Sequence, residues 1–319
     1  MKNHYKYLIV YLLLLLISCS GGSGDTAFQY LSPEEIDVFL DEIKLHYPAI
    51  TSLETVGYSQ SGNHVIKALV ISDNPGTDEG EPAVRLTGGI HGNEKMSIEL
   101  MIRLIEYLTS NYETDTAVKN LVDSRYICII PVLNPDGLEA NSRYNSRGVD
   151  LNRNFNDAYN HWSAGTHHGT ASFSESETKA LRDFSLPKGF DLSITYHTGA
   201  VLVNLPFDFA EESVQTPVQY STIKSYAETY TTTGTFLSNP DLYTDPAMEN
   251  GTINGGDWYV ITGSLQDWSY TVTQCLDLTI EVAKRNPDTE AGVHEIFMYN
   301  RDSIMAYIDL AGDHNFDGL

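Results

Sequence analysis

Gly88-Gly89-Ile90-His91-Gly92-Asn93-Glu94 carries a histidine and a carboxylate three residues apart. An apolar run, Ala83 to Leu86, precedes this stretch, and an apolar periodic segment, Ile98 to Leu108, follows it. The pattern predicts a strand, a tight glycine turn and a helix start. On such a turn the two side chains can point at one spot, and imidazole and carboxylate are both good zinc ligands. The same spacing also arises from surface polar pairs and from acids that favour a helix N-terminus. Position argues for chemistry, because open α/β sheets bind ligands just past the ends of their strands. A third ligand and a base must then come from elsewhere in the chain.

His197 ends the strand-like run Leu192–Tyr196 and is the candidate third ligand. A histidine at a strand end can equally be a hydrogen-bonded structural residue. Together with His91 and Glu94, however, it completes two histidines and one glutamate, a set that leaves one tetrahedral position open for catalysis. Glu281 stands inside the otherwise apolar Leu278-Thr279-Ile280-Glu281-Val282. A buried carboxylate is costly without a partner. It is either the mate of a core arginine or a base whose pKa is lifted by burial. Arg143, Arg147 and Arg153 crowd into eleven residues of an acidic protein. They read either as surface ion pairs or as a clamp for an anionic group, which suits the planar guanidinium fork.

The elements that must position these residues alternate. Ser32-Pro33-Glu34-Glu35 predicts a helix start with a capping box, and Ile36, Leu40, Ile43 and Tyr47 form its buried stripe. Strands are predicted near 53–57, 64–71, 83–90, 126–132, 190–196 and 275–282, and helices near 96–110, 115–123, 218–230 and 293–310. Residues 134–178 and 232–272 are polar, glycine-rich and weakly periodic. Stretches of that length within a compact domain are usually functional. The alternation predicts an α/β sheet covered on both faces.

The N-terminus has Lys2 and Lys6, then the apolar run Tyr7 to Ile17. A basic start, a short apolar core and small residues after it predict a secretory signal. Leu16-Ile17-Ser18-Cys19 resembles the lipobox of bacterial lipoproteins, and Ser20-Gly21-Gly22-Ser23-Gly24 would serve as a flexible tether. The expected organisation is a signal peptide over 1–18, a lipidated Cys19 with tether over 19–29, a catalytic domain over 30–311 and a tail over 312–319. The expected location is the cell envelope, exported and membrane-anchored. Without residues 1–18 the chain has 17 basic against 43 acidic residues, a net charge of −26. That surface repels nucleic acid and attracts cationic ligands. Cys128 and Cys275 lie in apolar strand-like runs and read as buried thiols, with a disulfide left open. A monomer is expected.

His91-Gly92-Asn93-Glu94, Asn134-Pro135-Asp136-Gly137, Asp150-Leu151-Asn152-Arg153-Asn154-Phe155, and His197 followed by Asn204-Leu205-Pro206-Phe207-Asp208 resemble the zinc metallocarboxypeptidases. Gly251-Thr252-Ile253-Asn254-Gly255-Gly256, Trp258-Tyr259 and Gln266-Asp267-Trp268 resemble the N/E (regulatory) branch in particular. The matches run from about residue 30 to 310.

The resemblance implies a mixed, mostly parallel eight-stranded sheet with helices on both faces. It implies one Zn2+ per chain, held by His91, Glu94 and His197, with Asp150 steering a ligand histidine. Glu281 becomes the base that activates a metal-bound water. Asn152 and Arg153 become the clamp on the substrate's terminal carboxylate, and Arg143 the group that polarises the scissile carbonyl. Tyr259 matches a mobile substrate-binding tyrosine, Asp208 an acid at the side of the specificity pocket and Gln266 its polar floor. The implied activity is hydrolysis of the C-terminal peptide bond of peptides with a free carboxylate, releasing Arg or Lys. Two other readings share these residues: an enzyme acting on cell-wall stem peptides, and an inactive lipoprotein that captures peptide termini. The sequence departs from the branch at Thr198, Phe209 and Asn156, which bears on fine specificity and touches none of the catalytic positions.

Overall fold

The protein is described by a computed structural model covering residues 28–77 and 79–312. The signal segment, Cys19 and the tether up to residue 27, and residues 313–319 of the tail lie outside the described residues.

The first helix, α1 (Pro33–His46), begins as its sequence dictates: the Ser32 hydroxyl accepts from Glu35 N–H while the Glu35 carboxylate accepts from Ser32 N–H. Then follow β1 (Thr51–Tyr58), β2 (Val65–Ile71), β3 (Ala83–Thr87), α2 (Lys95–Asn111), α3 (Thr116–Val122), β4 (Tyr126–Ile130) and the short α4 (Pro135–Glu139). The chain continues with a 3-10 turn at Leu151–Arg153, α5 (Ser176–Ser185), β5 (Leu192–His197), β6 (Val201–Leu205), α6 (Tyr220–Thr232), β7 (Thr252–Asn254) and α7 (Gly255–Trp258). It closes with α8 (Leu265–Thr273), β8 (Leu276–Val282) and α9 (Glu290–Asp309).

The eight strands form one sheet in the order β1-β2-β4-β3-β5-β8-β6-β7. β4, β3, β5 and β8 run parallel to one another, as do β6 and β7; the β1–β2, β2–β4 and β8–β6 pairings are antiparallel. The expected mixed sheet is therefore present. The sequence reading missed β6, β7, α5 and α8.

Side chains alternate across the strands, so the sheet has two covered faces. On one, Val84, Leu86, Ile194, Leu278 and Ile280 pack with the apolar stripes of α1, α2, α6 and α9. On the other, Ala68, Cys128 and Ile130 meet Leu181 of α5, Trp268 of α8 and Phe155. Cys128 and Cys275 are buried and unbonded.

Arg85 is the exception on the second face. It is 1 % exposed, and its guanidinium donates to Ser185, Ser193 and Ser269 hydroxyls at 2.9, 3.1 and 2.8 Å and to Asp277 at 3.0 Å. The core arginine thus has its own acid, at the N-terminal end of the parallel strands. Glu281, at the other end, is not its partner.

Candidate active site

The C-terminal ends of three adjacent parallel strands build the site. β3 delivers the turn with His91 and Glu94, β5 ends on His197, and β8 carries Glu281 directly opposite His197 in register. The turn lies against α4 with almost no clearance. A Cβ on Gly92 would sit 2.0 Å from the Gly137 carbonyl carbon and 2.1 Å from Leu138 nitrogen. Asn134 fixes that contact, its Oδ1 accepting from Gly137 N–H at 2.9 Å and its Nδ2 donating to Ile90 oxygen at 3.3 Å. Asn134-Pro135-Asp136-Gly137 thus serves as a platform for the turn.

His91, Glu94 and His197 are all buried and offer ligand atoms within 4.8 Å of one another. The Glu94 carboxylate lies between the rings, with His91 Nδ1 at 2.7 Å from Oε1 and His197 Nδ1 at 3.0 Å from Oε2. On the far side of its ring, His91 Nε2 is 3.0 Å from Asp150 Oδ1, the outer carboxylate that fixes ring orientation in metal sites. Two imidazole nitrogens converging on one carboxylate, one ring backed by a second acid, fit a zinc ion by the chemistry of the donors.

The electrostatics agree. Burial favours neutral His91, but Glu94 and Asp150 outweigh it and push the imidazole up to about 9. Burial would raise Glu94 and Asp150, yet the His91 charge leads the effects that hold both well below the usual carboxylate range. His197 is lowered, chiefly by burial. A cation among these groups must therefore displace a proton. Zinc uptake near pH 7 is expected to release about one proton, since ligand imidazoles bind metal in their neutral form. Calorimetry in buffers of different ionisation enthalpy measures this number. A value near zero would mean that His91 is already neutral.

Glu281 is 7 % exposed. Burial, reinforced by the Glu94 charge, pushes its carboxyl up to about 8, while Ala200 N–H donates to Oε2 at 3.3 Å. Arg143 donates from Nε to Asp150 at 2.9 Å and from Nη1 to Glu94 at 3.2 Å, and so reaches the cluster from the loop side. Asp150 also caps the 3-10 turn by accepting from Asn152 N–H at 2.9 Å. That turn presents Asn152 and Arg153 to the same cavity as His91, His197, Arg143 and Glu281. Tyr259 stands at its edge, 48 % exposed.

Asp208 lines the inner part of this cavity and is 3 % exposed. Burial pushes its carboxyl up to about 6 against the Ser264 hydroxyl, the Arg153 charge and the Asn204 side chain. Gln266 lies behind the cavity wall. Its Nε2 donates to Asn204 Oδ1 at 3.1 Å and its Oε1 accepts from Thr279 N–H at 2.7 Å. Asn204 and Thr279 line the cavity. The sequence reading quotes both, and Trp258, within its motifs but gives none of the three a role in the site. Thr279 was findable, because it precedes Glu281 by two in a strand and so shares its face.

The zinc carboxypeptidase family pattern matches residues 36–308. Mouse carboxypeptidase D is 33% identical over 291 residues, covering 86% of this chain and 20% of that protein. Mouse carboxypeptidase M is 30% identical over 298 residues, covering 88% of this chain and 65% of its own length. The chain thus spans about a fifth of its carboxypeptidase D relatives. Among solved structures, carboxypeptidase A from Helicoverpa armigera superposes with a TM-score of 0.75 at 19% identity, over 97% of this chain and 81% of that one, a likeness of fold. With the family pattern spanning the whole sheet and every strand end that carries a candidate ligand, the chain belongs to the zinc carboxypeptidase family.

Proposed function

We propose that the protein hydrolyses the C-terminal peptide bond of peptides and releases a basic residue. The observation that carries this reading is one cavity lined by His91, His197, Glu281, the Asn152–Arg153 pair and Asp208. His91, Glu94 and His197 would hold the zinc. The metal supplies Lewis acidity, which polarises a carbonyl and makes water a nucleophile near neutral pH.

The chain's own residues do the rest. Arg153 and Asn152 bind the terminal carboxylate by charge and hydrogen bonding. That places the last peptide bond beside Glu281. Glu281 takes the proton of the attacking water and can return it to the departing amine. Arg143 presents a guanidinium to the oxygen on which negative charge develops. Asp208 faces the side chain of the departing residue. The matches to carboxypeptidases D, M and N support the carboxypeptidase part of this reading.

Chelator-treated and zinc-loaded protein assayed on peptides ending in Arg, Lys, Leu and Phe tests the reading. Arg or Lys is expected to be preferred at least tenfold in kcat/KM, a difference of about 1.4 kcal/mol in the transition state. Asp208→Ala should erase most of that preference and leave zinc binding intact. The ratio of basic to apolar substrates should also fall as the pH drops through about 6, where Asp208 gains a proton and loses its charge. Preference for Leu or Phe in the native protein would sink the assignment.

A further inference from the structure

Glu94 is the residue from which α2 springs, with non-helical backbone angles of φ −90° and ψ 62°. A residue in that position normally turns its side chain back to accept from the second or third amide of the helix. Glu94 makes no such bond. Its carboxylate is committed to His91, His197, the Thr198 amide and Arg143. The helix that carries the turn is therefore uncapped by its own sequence.

Asn286 supplies the cap from the far end of the chain. Its Oδ1 accepts from Met96 N–H, the second helical amide, at 3.0 Å. Its Nδ2 donates to the Asn93 carbonyl at 2.8 Å. The Asn93 carbonyl belongs to the peptide unit that enters Glu94. One amide group thus pins the backbone on both sides of Glu94, while the Ser97 hydroxyl takes the Glu94 carbonyl at 2.7 Å. Only one orientation of the Asn286 amide satisfies an N–H and a C=O together, so donor and acceptor are assigned. Asn286 also lies five residues past Glu281, in the segment that leaves β8. The same amide ties the strand of the base to the turn of the ligands.

We infer that Asn286 is a positioning residue for the metal centre: it caps α2 in place of Glu94, freeing the Glu94 carboxylate to serve as a ligand. This rests on the reading of His91, Glu94 and His197 as the zinc site. Residues that orient ligands from outside typically change metal affinity about 10–100-fold when removed. Asn286 reaches Glu94 through its backbone, so a comparable effect is expected.

The test is zinc affinity of the full chain, measured by competition with a chromogenic chelator and without reference to activity. Asn286→Ala should raise the zinc Kd about tenfold or more. Asn286→Asp keeps the acceptor for Met96 but sets a carboxylate against the Asn93 carbonyl; its Kd should rise less than that of Asn286→Ala yet clearly exceed the native value. Asp115→Ala removes an ordinary cap, that of α3, and controls for general loss of stability; its zinc Kd should match the native one. A folded Asn286→Ala with a zinc Kd within twofold of native would overturn the proposal. If that variant does not fold, Asn286→Asp decides by the same threshold. A native chain that takes up no zinc would instead overturn the metal-site reading itself.

Discussion

Glu281→Gln is expected to lower kcat by about a thousandfold or more while zinc content and KM stay near native. General-base catalysis contributes typically about 10²–10⁴-fold. The amide occupies the same volume and still accepts the Ala200 N–H, so the substitution removes the proton acceptor and little else. Loss confined to kcat would place the role of Glu281 in the transition state. The pH profile gives a second check. A general base works only when ionised, so if Glu281 holds that role native activity is expected to fall as the pH drops through its pKa. Burial is the leading cause that raises that pKa, and repulsion from Glu94 is the next. A cation on Glu94 cancels the second cause, so the acid limb of the loaded enzyme is expected below about 8. Residual turnover in Glu281→Gln should lack that limb. Turnover within tenfold of native would remove Glu281 from the mechanism.

The second large effect concerns stability. Asp277→Ala should lower the unfolding free energy by about 3–5 kcal/mol, the range for stripping one partner from a buried ion pair. Arg85 would keep three serine hydroxyls but no counter-charge, sealed at 1 % exposure. Arg85 stands opposite Ser193 on β5, and Ser193 opposite Asp277 on β8, so the network also fixes the register of three strands. Replacing both charges with apolar residues of similar size should recover much of the loss, because no charge is then left unpaired. Urea unfolding of the two variants measures this. A single substitution costing under about 1 kcal/mol would mean that water reaches Arg85.

The site was more legible in the sequence than the fold. His91 and Glu94 were readable because one tight turn sets their geometry, and contiguous residues carry that information. Glu281 was readable because a carboxylate in an apolar strand demands a reason. β6 was not, since Val201–Leu205 is five residues long and follows a turn that looks like a loop end. β7 is three residues long and exists only through its pairing with β6. α8 hides behind Thr, Tyr, Trp and Val, which are weak helix formers, although Ser264 caps it through Asp267 N–H. Gln266 shows a different limit. Its polarity suggests a pocket floor, but whether a polar side chain touches the cavity or braces the residues that do depends on packing depth. Asn286 was invisible for a related reason: its partners lie 190 and 193 residues away.

The strand order has a consequence for how the chain is made. β8 is the last strand in the sequence, yet it enters the middle of the sheet, between β5 and β6. A chain emerging in order can assemble β1 to β5 on one side and β6 with β7 on the other, leaving two raw edges that face each other across a gap. Open edges of this kind invite pairing with other chains. The strand that closes the gap also carries Glu281. The proposed base therefore arrives with the same event that removes the aggregation hazard, and a half-made chain has neither a finished sheet nor Glu281 in place.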